Sequence, residues 1–66
     1  MIETLAQLLD RIGELIVPVR GHDFVLYREN GHIIARIGYE HRRFPANITL
    51  LEMRPHLERY NIGDWQ

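Results

Sequence analysis

A chain of 66 residues has room for one domain and no second, and a domain of that size buries only about 60% of the surface its chain can expose. Eight basic and nine acidic residues leave a net charge of −1, so no overall field draws the chain to nucleic acid or to a membrane. Cysteine, lysine and serine are absent. That excludes disulfides, thiolate zinc sites, a lysine-bearing phosphate loop and Ser, Cys or Lys nucleophiles, and the missing thiols fit a reducing cytoplasm.

Residues 2–16, IETLAQLLDRIGELI, place Leu5, Leu8, Leu9, Ile12, Leu15 and Ile16 at helical spacing, with polar side chains between them. This predicts a first helix over about 2–16, ended by Pro18, which pushes Val17 out of helical geometry. The start has no basic stretch leading into an apolar core, so no signal peptide is expected. The longest apolar run is far below a membrane span. The sequon Asn47-Ile48-Thr49 is then read as chance.

A connector over 17–23 leads to a β-hairpin over about 23–40. Asn30-Gly31 is the preferred pair for a type I′ turn, in which both positions need positive φ. A two-residue loop sets Glu29 opposite His32, Tyr27 opposite Ile34 and Val25 opposite Arg36. Alternation then divides the hairpin into two faces. Phe24, Leu26, Ile33, Ala35 and Ile37 lie on one; Val25, Tyr27 and Ile34 lie on the other with Glu29, His32 and Arg36. Gly38 marks a bulge, and Pro45 and Asn47 a loop.

Thr49 and Glu52 fit a capping box, followed by a helix over about 50–60 with Leu50, Met53, Leu57 and Tyr60 as its stripe. Pro55 either interrupts this helix or opens a restarted one, and the sequence leaves both readings open. Asn61 is the expected left-handed cap. Residues 61–66 form a tail that frays unless Trp65 packs. The fold expected is a small α+β domain spanning 1–66, helix–hairpin–helix, with two helices packed on an antiparallel hairpin and room for a short extra strand.

Both faces of that hairpin are apolar, yet an isolated ribbon is marginal in water. Either one helix covers each face, or both lie on the Phe24/Leu26/Ile33/Ile37 face and leave the other open. The second arrangement is the one expected here. Val25, Tyr27, Ile34 and Arg36 then form a partner-binding surface, because exposed apolar patches mark interaction sites and a symmetric dimer is the commonest way to cover one. The function expected is a non-enzymatic protein-binding module in the cytoplasm, a regulator, inhibitor or assembly component that forms a homodimer or docks on a protein partner.

The alternative is a nucleic-acid binder. Arg28, His41, Arg42, Arg43 and Phe44, with Arg20, Arg36, Tyr27 and Tyr39 near them, combine cations for phosphates with rings for base stacking, and they suit an acidic protein partner equally. Net charge weighs against nucleic acid. The four histidines, His22, His32, His41 and His56, lack the spacing of a helical zinc pair. No metal, cofactor or catalytic site is expected, and no motif identifies a family.

Overall fold

The computed structural model describes residues 2–66. Its elements run α1 (Leu5–Ile12), β1 (Glu14–Val19), β2 (His22–Glu29), β3 (His32–Ile37), β4 (Glu40–Pro45) and α2 (Leu50–Glu58). The class is α+β, but the expected helix–hairpin–helix is corrected. Four strands, not two, form an antiparallel meander in the order β1-β2-β3-β4 between the helices.

The first helix stops four residues short of the expected end. Thr4 caps it with a reciprocal pair of bonds to Gln7. Gly13 ends it at φ 85, a conformation that costs glycine nothing and other residues a great deal. Leu15 and Ile16 fit the helical stripe, but the run Ile16-Val17-Pro18-Val19 is β-branched and proline-bearing, and it pairs with β2 instead. Pro18 is tolerated because β1 is an edge strand.

Three two-residue turns build the meander. Arg20-Gly21 and Asn30-Gly31 both have positive φ at each position, the I′ requirement. Gly38-Tyr39 has positive φ at the glycine only, as a II′ turn needs. Gly38 therefore makes a turn rather than a bulge. In the central hairpin the register is Glu29↔His32, Arg28↔Ile33, Tyr27↔Ile34, Leu26↔Ala35 and Val25↔Arg36, as the two-residue loop dictates.

Both helices pack on one side of the sheet. Leu5 and Leu9 of α1 and Met53 and Leu57 of α2 join Val17, Val19, Phe24, Leu26, Ile33, Ala35 and Phe44 in a single cluster. The helices also meet at their starts. Thr4 and Thr49 form an isolated antiparallel bridge, and the Leu5 N–H donates to the Ile48 carbonyl at 2.8 Å.

Thr49 and Glu52 make the capping box of α2, and Thr49 holds the Glu52 carboxyl below its ordinary value. Pro55 lies inside this helix. Its ring leaves the Leu51 carbonyl without the amide it would otherwise receive. The helix ends at Arg59 in right-handed geometry. The expected left-handed cap at Asn61 does not form; among the described non-glycine residues only Arg20 and Asn30 have positive φ.

The tail packs. Trp65 lies 5.4 Å from the Phe24 ring and 4.9 Å from that of Tyr60, centroid to centroid. Glu40 fastens it: its carboxylate accepts from the Tyr60 hydroxyl at 2.7 Å and from the amides of Gly63 and Trp65. The Gln66 carbonyl accepts from the His41 amide at 2.6 Å, so the free edge of β4 is partly covered.

Candidate functional site

Because side chains alternate along a strand, the meander has an inner face under the helices and an outer face without them. Cross-strand register places two complete rows on the outer face. One runs Ile16, Val25, Arg36, His41; the other runs Glu14, Tyr27, Ile34, Arg43. Pro18 and Asp23 extend one end, and Glu29, His32 and Pro45 the other. Among the described residues no helix lies over this surface, since the helices' buried side chains all belong to the opposite cluster.

The four residues expected to form the partner surface, Val25, Tyr27, Ile34 and Arg36, do share this face. They differ in availability. Arg36 is exposed and Val25 and Tyr27 are half-buried, but Ile34 is only 4% exposed. Ile34 stands outside the helix-covered cluster. An exposed apolar anchor was missed by sequence: Ile16, at 57% exposure. Its spacing matched a helix, which hid its place in the row with Val25.

Charge on this face is sorted by strand. The outward residues of β1 and β2 include Glu14, Asp23 and Glu29 and no base. Those of β3 and β4 include His32, Arg36, His41 and Arg43 and no acid. An acidic half and a basic half therefore flank a central apolar strip of Val25, Tyr27 and Ile34. Neither Glu14 nor Arg43 has an ion-pair partner among the described residues; the two pairs there are Arg11–Glu3 and Arg28–Asp10.

The arginine and aromatic set divides across the molecule. Arg28 points inward and hydrogen-bonds Asp10 of α1. Arg42 and Phe44 also lie on the inner side, with the Arg42 guanidinium 5.2 Å from the Phe44 ring centre. His41 and Arg43 point outward. Arg20 donates to the Glu58 carbonyl at 2.9 Å. These residues do not form one continuous cationic surface. Arg42 does line a shallow groove of about 450 Å³ with His56, Arg59, Tyr60, Asp64 and Trp65, but Asp64 sits among its cations.

Two of the titratable groups with shifted values, Glu40 and Tyr60, lie where the tail is held. The Tyr60 hydroxyl, first, and the Trp65 and Gly63 amides hold the Glu40 carboxyl below its ordinary value, although partial burial opposes them. The same bond to Glu40, with burial, pushes the Tyr60 phenol up to about 12. Each shift reports the bond that holds the tail. Among the described residues no three His, Asp or Glu side chains converge as metal ligands, and no helix is long and apolar enough to cross a membrane. No protein family, curated protein or solved structure matches this chain.

Proposed function

We propose that this chain is a non-enzymatic protein-binding module that self-associates through the outer face of its sheet. It would serve as a small regulator or assembly component in a reducing, cytoplasmic setting. The observation that carries this reading is the pairing of an uncovered, partly apolar sheet face with a strand-by-strand division of charge. An open face of one charge sign would repel its own copy. One with opposite halves complements itself, and closed two-fold assemblies need self-complementary surfaces.

Nucleic-acid binding is supported less well. Its five candidate residues face different directions: Arg28 is held by Asp10, Arg42 and Phe44 are on the inner side, and only His41 and Arg43 share the outer face. Phosphate recognition needs a continuous basic track. A salt-sensitive mobility shift with DNA or RNA that disappears in Arg43→Glu would reinstate it.

Sedimentation across protein concentration, from about 1 μM to several hundred μM, tests the proposal. Wild type should pass from monomer to dimer within that range. Ile16→Arg, at an exposed position on the edge strand β1, should shift the transition to higher concentration. A wild type that stays monomeric throughout overturns the reading.

A further inference from the structure

We propose, resting on that self-association, that two copies pack outer face to outer face about a two-fold axis running along the strands, with Glu14 of each copy meeting Arg43 of the other. Two simple axes in the plane of contact bring one sheet face onto its copy. An axis across the strands lays every strand on itself, so β1 meets β1 and β2 meets β2. Acid then faces acid and base faces base over the whole surface. An axis along the strands reverses strand order, so β1 lies over the copy's β4 and β2 over its β3. The acidic half of each copy then covers the basic half of the other. Like charges set opposite one another are destabilising and unlike charges fix register, so the charge division selects the second axis.

Cross-strand register carries the pairing down to residues. An axis along the strands leaves each row at its own height. In the row Glu14, Tyr27, Ile34, Arg43, reversal puts Glu14 over Arg43 and Tyr27 over Ile34, each twice by symmetry. In the neighbouring row Val25 meets the aliphatic stem of Arg36, which can lie along apolar surface while its head stays near water. Glu29 comes over His32. Packed sheets stand about 10 Å apart and are turned by about 30° from parallel, so long side chains at the rim reach across while shorter apolar ones fill the middle.

The size of the face agrees with a weak, specific dimer. Four strands about 4.8 Å apart and six residues long cover roughly 400 Å² in projection. Two corrugated faces of that size together approach about 1,000 Å², the lower edge of specific interfaces. A foreign partner would have to reproduce the same division of charge on a flat surface, and a second copy already does.

Charge reversal tests the axis. Glu14→Arg and Arg43→Glu are made singly and together, with Arg54→Glu on the helical side as a control that changes net charge as Arg43→Glu does. Glu14, Arg43 and Arg54 are all exposed, and circular dichroism confirms that each variant folds. Sedimentation at low salt should show each single reversal weakening the dimer roughly ten-fold or more, since two attractions become two repulsions. The double variant should recover most of the loss, and Arg54→Glu should leave association unchanged. Added salt should weaken wild type and the double variant alike. A dimeric wild type whose single reversals change nothing, or whose double reversal fails to recover, overturns this axis while self-association stands. A wild type that never associates removes both.

Discussion

Replacing Pro55 with alanine should stabilise the protein. Thr49 is the N-cap of α2, so Pro55 is its sixth helical residue, beyond the first turn where proline is tolerated. An interior proline costs about 3 kcal/mol relative to alanine, through one lost hydrogen bond and the clash of its ring with the preceding turn. Two effects reduce the gain. Alanine loosens the unfolded chain by about 0.4–1 kcal/mol. Leu51, whose carbonyl lacks its amide partner, is 72% exposed, so water takes over part of that bond. Pro55 is itself exposed and surrenders no core packing. The net gain is then about 1–2 kcal/mol, and at about 4–8 °C per kcal/mol for a domain this small the melting temperature rises by roughly 4–16 °C. Thermal and urea unfolding should be followed by far-ultraviolet circular dichroism at one fixed protein concentration, since dimer formation adds stability by mass action. The urea midpoint should rise without a change in slope. An unchanged or lowered midpoint would mean that α2 restarts at position 55, where proline is favoured, and would refute the account of a strained continuous helix.

Glu40 makes part of the stability depend on pH. Its folded pKa lies below the ordinary 4.5, so its contribution is fully present above that value and is lost as pH falls through the lower folded one. Tyr60 works at the other end: with its phenol raised from 10.0 to about 12, its contribution holds below pH 10 and declines as the pH climbs towards 12. Glu40→Gln should therefore be less stable than wild type in urea at pH 7, and the gap should close in acid; a gap that persists at pH 2 would contradict the assignment. Thr49→Ala removes the N-cap of α2 and should cost about 1 kcal/mol in the same assay.

The central hairpin was legible because Asn30-Gly31 is a strong turn signal and its two-residue loop fixes the register of every pair. The outer strands were hidden for separate reasons. Arg20-Gly21 performs the same I′ turn, but arginine is seldom held at positive φ, so the pair did not read as a turn. Leu15 and Ile16 satisfied helical spacing as well as strand alternation, and nothing before Gly13 decided between them. In β4 the outward and inward positions alternate His41, Arg42, Arg43, Phe44, three polar residues in a row, because Arg42 lies at an inward position beyond full helix cover. That removed the alternation by which a strand is recognised. The open face was legible in part: Val25, Tyr27, Ile34 and Arg36 all fall on it, although Ile34 is nearly buried there. The charge division was not, because half of it lies on β1 and β4.

The bridge between Thr4 and Thr49, with the amide of Leu5 bound to Ile48, joins the start of α1 to the start of α2 across the whole sheet sequence. Every strand pairing, by contrast, is closed by a two-residue loop. Short-range contacts of that sort form quickly, whereas closing a long loop carries an entropic penalty that is met late. The sheet should therefore zip first and the helix starts clasp afterwards. A clasp that forms after the rate-limiting step leaves the speed of folding alone and acts mainly by delaying the molecule's opening.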